Sequence, residues 1–148
     1  MSEAKESVRL TQERDYRFSI EFGAGIPATV GDEPPPLGAG TGPTPVQLLA
    51  AAVGNCLSDS LLFALRKFRQ SPEPIRCEIE AAVGRNAENR LRVLGLDAKL
   101  TLGVSAAKLQ HLDRVLATFE SYCTVTQSVG QGIAITVEVY DASGARLK

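Results

Sequence analysis

The stretch Thr44–Ser60, TPVQLLAAAVGNCLSDS, joins a helix-start signal, an aliphatic run and a cysteine. Thr44 is a good N-cap, Pro45 suits the first helical position, and Gln47 completes an S/T-x-x-E/Q capping box. A helix is therefore predicted to begin here and to run to about Gln70, ahead of Pro72. From Leu48 to Val53 every residue is apolar, which predicts a helix buried on all sides. Gly54 is expected to admit another backbone at close range. Cys56 then stands deep in this helix, where a cysteine ordinarily behaves as a small hydrophobe. Desolvation raises a thiol's pKa, a mid-helix position gains nothing from the helix dipole, and Asp59 at i+3, where it faces the same way, works against the thiolate. Reactivity at Cys56 therefore requires a cation from elsewhere in the fold.

Upstream, YRFSIEF alternates Tyr16, Phe18, Ile20 and Phe22 against Arg17, Ser19 and Glu21, the pattern of a strand with one buried face. VRL before it and IPATV after it predict a three-strand meander turning near Gln12–Asp15. The proline- and glycine-rich GDEPPPLGAGTGPTP, residues 31–45, reads as an ordered surface loop. Downstream, IRCEIEAAV places Ile75, Cys77, Ile79, Ala81 and Val83 inward, and LRVLGLDAKLTLG returns as its partner strand. SAAKLQHLDRVLATFESY carries Leu109, Leu112, Val115, Leu116 and Phe119 at helical spacing behind Ser105 as N-cap. GIAITVEVY closes the chain as a last strand. The order predicts an α+β fold in one domain, residues 1–148.

Composition excludes several functions. The 148 residues contain 16 basic and 17 acidic side chains, a net charge of -1, which argues against nucleic-acid and membrane-surface partners. The opening MSEAKESVRL lacks the apolar core of a signal peptide, and no run reaches ~18 uncharged apolar residues. A cytoplasmic location is expected. Three cysteines, Cys56, Cys77 and Cys123, cannot all pair within one chain and form no CxxC, so structural disulfides are not expected.

The remaining candidates for chemistry mostly have plain readings. Cys77 alternates with aliphatics on a strand and reads as core. His111, the only histidine, has neither a metal-ligand set nor a triad around it and reads as a surface residue. GAGTG lacks the GK[ST] ending of a phosphate loop, and the Asp32–Glu33 pair reads as a turn formed by Asp32. Cys123 differs, because it lies between a helix end and the polar TVTQS, where it could reach solvent or another thiol.

The succession GDEPPPLGAGTGPTPVQLLAAAVGNC and, 67 residues on from its cysteine, FESYCTV resembles the OsmC/Ohr superfamily of osmotically inducible and organic hydroperoxide resistance proteins. The resemblance implies an intertwined homodimer in which a long buried central helix packs against curved antiparallel sheets, with sites at the subunit interface. It implies a thiol-dependent peroxidase: Cys56 is the peroxidatic cysteine, Cys123 resolves its sulfenic acid as a disulfide, and a thiol reductant closes the cycle without a cofactor or metal. The substrate would be a small organic hydroperoxide or hydrogen peroxide. The hydroperoxide-resistance branch also has a glutamate nine or ten residues before the helix cysteine, where this chain has Gln47 and Val46, and an arginine from the N-terminal strands, matched by Arg14 or Arg17. Thr124 stands where proline often follows the second cysteine. Gln47 lacks the charge to hold that arginine, so Cys56 is expected to have a pKa between about 6 and 8. The competing expectation is a binding module for a small apolar or acyl ligand at the dimer interface, with Cys56 as a pocket wall.

Overall fold

The computed structural model describes residues 2–148. Six strands and three α-helices follow one another as β1 (Arg9–Arg14), β2 (Arg17–Glu21), β3 (Thr29–Gly31), α1 (Pro45–Lys67), β4 (Arg76–Arg85), β5 (Leu91–Thr101), α2 (Leu112–Thr118), α3 (Thr124–Val129) and β6 (Ala134–Tyr140). Two compact units result, Met1–Leu48 and Leu49–Lys148. The fold is α+β, as the element order predicts.

In the first unit β1, β2 and β3 form an antiparallel meander. Its first turn is closed by Asp15 in the left-handed region, φ 46°, with the Gln12 side-chain amide donating to the Asp15 carbonyl at 3.0 Å. The apolar face of β2 forms, but within this chain it is not covered: Ile20 is 4% exposed, whereas Tyr16 is 49%, Phe18 36% and Phe22 41%. The expected burial of the whole face is thereby corrected to one residue. Three short strands have one apolar side, and only Ile20 reaches an apolar neighbour deep enough to exclude water; its Cδ1 packs over Gly31.

The loop after β3 is organised by one carboxylate. Asp32, 2% exposed, accepts from the amides of Glu33, Ala39 and Thr41 at 2.8, 3.3 and 3.0 Å and from the Thr41 hydroxyl at 2.7 Å. These bonds hold its pKa down to about 2. Gly38 lies so close that a methyl there would collide with the Glu33 carbonyl and the Asp32 carboxylate. GAGTG is thus a wrapping for Asp32, as the turn reading of that residue expects. Its amides of Ala39 and Thr41 are spent on Asp32 rather than open to a phosphate.

The capping box forms as predicted: Gln47 N–H donates to Thr44 Oγ1 at 3.2 Å and Thr44 N–H donates to Gln47 Oε1 at 2.9 Å. The helix it starts ends at Lys67, three residues before the expected stop, because Arg69 turns left-handed, φ 56°, and Gln70 N–H reaches back to the Leu65 carbonyl. By length and a mean hydropathy of 1.7 over eighteen residues, α1 could cross a membrane on composition alone. Its apolar stripe is instead packed into the protein.

That stripe, Ala50, Val53, Leu57, Leu61 and Leu65, meets Leu96, Ala98 and Leu100 of β5, Val139 of β6, and Val115, Leu116 and Phe119. Each buried leucine contributes roughly 1.5–3 kcal/mol by leaving water. The helix is not buried on all sides: Ala51, Ala52 and Asn55 are exposed, and Phe63 is 63% exposed. One chain of this size supplies partners for a single stripe of a 23-residue helix. Gly54, expected to admit a backbone, meets side chains instead, the Cys77 Sγ and Ile79.

The second sheet has the order β4-β5-β6. β4 and β5 pair antiparallel and alternate as predicted up to Ala81, with Leu96, Ala98 and Leu100 buried and Asp97 and Lys99 exposed; Val83, expected inward, is 51% exposed, because the register shifts between Ala82 and Val83 and turns it to the other face. β6 joins β5 in parallel, from Gly95 opposite Ala134 to Thr101 opposite Tyr140. The expectation of purely antiparallel sheets is corrected: the helical connection between β5 and β6 is a crossover, which delivers the returning strand in the parallel sense.

The single second helix expected from Ser105 is broken. Ser105 does cap a 3₁₀ turn, Ala106–Lys108, by accepting from Ala107 N–H, but Leu109 is extended and His111 is left-handed, φ 59°. Gln110 N–H donates to the Gln70 side chain at 2.8 Å, and the exposed His111 ring stacks on Phe68 at 4.6 Å, which fix the break. Beyond the 3₁₀ turn Phe119–Tyr122, TVTQSV forms α3 despite its β-branched composition. Asp141, 2% exposed, accepts from the amides of Ala106, Ser143 and Ala145 and ties the end of β6 to the start of this segment.

These two carboxylates predict an acid response. Asp32 and Asp141 are both held at about 2, below their unfolded values, so the unfolded chain binds more protons between pH about 4 and about 2. Their stabilisation is present above that window and is lost as pH falls through it. Urea midpoints measured from pH 2 to 5 should fall toward acid in the wild type, and Asp32→Asn should lower the neutral midpoint while flattening the acid slope. An unchanged slope in Asp32→Asn contradicts this account.

Candidate functional site

Two of the three cysteines meet. At about 100° per residue, the leucine stripe fixes the rotation of α1 so that Cys56 falls on the flank of the helix, half-buried beside Leu57. Cys123, placed by the 3₁₀ turn Phe119–Tyr122 just before α3, is 0% exposed and belongs to the core. The Cys56 thiol lies near enough to the Cys123 thiol and to the backbone N–H groups of Val125 and Thr126 for each of them to act on its ionisation. Both thiols are free. The expectation that Cys123 reaches solvent or another thiol resolves in favour of the thiol.

Cys123 has a partner of its own. Its thiol donates to Thr126 Oγ1 at 2.8 Å, and Thr126 is only 6% exposed. Thr126 is the residue that sequence reasoning passed over. The signal available was a hydroxyl three residues after a cysteine, readable only once TVTQSV is known to be helical, which brings i and i+3 together.

Electrostatics within the chain disfavour a thiolate. Burial pushes the Cys56 thiol up, the neighbouring Cys123 thiol pushes it further, and the amides of Val125 and Thr126 pull the other way without prevailing. This is opposite to the direction expected for Cys56. A raised thiol gains nothing until a positive charge or a stronger set of donors offsets its desolvation.

The other sequence candidates are engaged elsewhere. Arg17 Nε donates to Glu13 Oε2 at 2.6 Å, and its Nη1 donates to the Thr41 hydroxyl at 2.6 Å, which itself donates to Asp32. Arg14 ends β1, exposed, in register with Arg17. Both belong to the first unit. Gln47 is held in the capping box, its amide oxygen accepting from Thr44. Cys77 is half-buried on β4 beside Gly54 and Ser58; burial raises its thiol too. Among the described residues no cluster of three or more His, Cys, Asp or Glu side chains could hold a metal ion.

Chemically, two adjacent thiols, one half-exposed and one fully buried, can be oxidised together to a disulfide by a two-electron acceptor.

Comparison with known proteins places this arrangement. The sequence pattern of the OsmC-like protein family matches residues 38–138, which include both cysteines of the pair. The fold is similar to that of an OsmC-like protein of unknown function from Vibrio cholerae, with 18% identity, TM-score 0.78, and 93% of this chain and 99% of that one covered. It is also similar to an organic hydroperoxide resistance protein OsmC from Legionella pneumophila, with 15% identity, TM-score 0.71, and 96% and 100% covered. A third likeness is to the organic hydroperoxide resistance protein OhrB of Bacillus subtilis, with 14% identity, TM-score 0.68, and 92% and 98% covered. No functionally curated protein matches the sequence. With more than half its length matched by one family pattern and its fold shared with these proteins, the chain belongs to the OsmC-like family.

Proposed function

We propose that this protein is a thiol-dependent peroxidase that reduces small organic hydroperoxides, and hydrogen peroxide, through Cys56 and Cys123. The observation that carries the reading is the meeting of these two thiols, one half-exposed and one buried. Two of the similar structures are named for organic hydroperoxide resistance, which supports the same chemistry.

The steps balance as follows. The Cys56 thiolate attacks one peroxide oxygen, the O–O bond breaks, and the alcohol leaves after taking a proton, with Cys56 left as a sulfenic acid. The Cys123 sulfur then attacks the Cys56 sulfur, the S–O bond breaks, and water leaves with the Cys123 proton. The Cys56–Cys123 disulfide is returned to two thiols by an external dithiol, which is itself oxidised. No cofactor takes part. Thr126, the acceptor of the Cys123 thiol hydrogen bond, holds that sulfur in place.

The raised Cys56 thiol defines what the reading still requires. A guanidinium must supply the charge, and Arg14 and Arg17 are the candidates. Arg17 is already paired with Glu13. Gln47, bound to Thr44, is neutral where a carboxylate would anchor an arginine. A homodimer is part of the proposal. The first unit exposes Val8, Leu10, Tyr16, Phe18, Phe22 and Ile26, apolar side chains that a second copy of the chain would cover. A cytoplasmic location, with its supply of thiol reductants, fits the same chemistry.

The raised thiol also favours the second reading, a non-catalytic module for a small apolar or acyl ligand, and three measurements distinguish the two. One equivalent of cumene hydroperoxide should yield a Cys56–Cys123 disulfide by peptide mass mapping, with Cys77 still alkylatable; a product through Cys77, or none, counts against the peroxidase. Thr126→Val should leave formation of the sulfenic acid unchanged but slow disulfide closure by about tenfold, the worth of one buried hydrogen bond, whereas Thr126→Ser should restore it. Equal closure rates in all three proteins would remove Thr126 from the mechanism. Sedimentation at micromolar concentration should give the mass of two chains, and a stable folded monomer would overturn the dimer.

A further inference from the structure

The same flank of α1 that carries Cys56 carries, one to three turns later, one wall of a second feature. At about 100° per residue Cys56, Ser60, Phe63 and Lys67 fall together on the helix surface. From Ser60 onward this flank faces α2 across a cavity of about 200 Å³. Phe63, Phe68, Val115 and Tyr122 line it, with Lys67 and Arg114.

Both cations lie over aromatic rings of the cavity wall. Lys67 Nζ stands 5.6 Å from the centre of the Phe63 ring, and the Arg114 guanidinium 5.8 Å from that of Phe68. Among the described residues neither has a carboxylate within salt-bridge distance. Lys67, in the last turn of α1, is explained by that helix's dipole. Arg114 is not: it lies in the first turn of α2, the end at which a cation is disfavoured. Two charges without counter-ions at an apolar cavity complement one kind of occupant. An inorganic anion would leave the aromatic wall unused, and a neutral hydrocarbon would leave the charges unused.

We infer that this cavity is a binding site for a small organic anion, a carboxylate carried on an aromatic body. The carboxylate takes Lys67 and Arg114, and the body takes Phe63, Val115 and Tyr122. The volume, below the ~300–1,000 Å³ of sites for drug-sized ligands, limits the body to about one ring and a short chain. Phe63 and Tyr122, 63% and 72% exposed, are the surfaces such a ligand covers. The site stands on the cavity and its charges, independently of whether the thiols turn over.

Titration calorimetry of the reduced full-length protein with 3-phenylpropanoate and with its neutral amide tests this. The acid should bind about tenfold more tightly than the amide, the margin of one charge-assisted hydrogen bond. That margin should shrink at high salt and vanish in Lys67→Gln/Arg114→Gln, whose far-UV spectrum should match the wild type. Should the double variant fail to fold, Lys67→Gln alone must still reduce it. Equal affinity for acid and amide, or no binding of either, overturns the inference. So does sedimentation showing that Phe63→Ser splits a wild-type dimer, because a second copy of the chain would then cover the cavity. Loss of cumene hydroperoxide turnover with anion binding intact would sink the peroxidase reading alone.

Discussion

The packing of the α1 leucine stripe on β5 is the contact on which the rest of the larger unit depends. Leu57, Leu61 and Leu65 are wholly buried against Leu96 and Leu100, and removing any one of them to alanine would cost about 2–5 kcal/mol. More than stability follows from it. A helix pinned along one stripe has no rotational freedom, so every other residue of α1 has a fixed address. Cys56 is one residue, about 100°, before Leu57, and is thereby set on the flank that faces the α3 amides and Cys123. Gly54 and Ser58 fall on the opposite flank, where they meet Cys77. The helix itself stands between the two thiols of its flanks.

The same burial that positions Cys56 works against its ionisation. Desolvation favours the neutral thiol, and a second thiol beside it favours the neutral form again, since two adjacent thiolates repel. In the first unit the Glu13–Arg17–Thr41–Asp32 chain commits a guanidinium to partners of its own. Arg14, one position before the turn, has no such commitment among the described residues. Positional precision and chemical activation are therefore separable here: the first is built into Leu49–Lys148, and nothing around Cys56 in that unit offsets the desolvation of its thiol.

What the amino-acid pattern disclosed was local and periodic. The Thr44–Gln47 box forms because both residues act over three positions, and β4 and β5 show because Glu78, Glu80, Asp97 and Lys99 alternate with apolar residues. Cys56 and Cys123 as a pair came from a resemblance, not from spacing, and nothing local in 67 residues of separation encodes it. The break before α2 was hidden because it is made by partners distant in sequence, Gln70 to Gln110 and Phe68 to His111. The parallel sense of β6 is likewise a consequence of the crossover, not of its own alternating residues. Helix-forming TVTQSV runs against its own propensity because Thr126 is buried beside Cys123.

The difference in burial between the paired thiols also gives any disulfide between them a direction. A reductant's thiolate must approach one sulfur along the S–S axis, and Cys123, 0% exposed within the core, offers no approach. Cys56, half-buried on the flank of α1, does. Attack at Cys56 makes Cys123 the leaving group, and the hydroxyl of Thr126 at 2.8 Å, which accepts from the thiol, can rotate to donate to the departing thiolate. Burial thus acts on the two sulfurs in different ways: at Cys56 it opposes ionisation, and at Cys123 it leaves Thr126 as the hydrogen-bond partner of a sulfur closed to solvent.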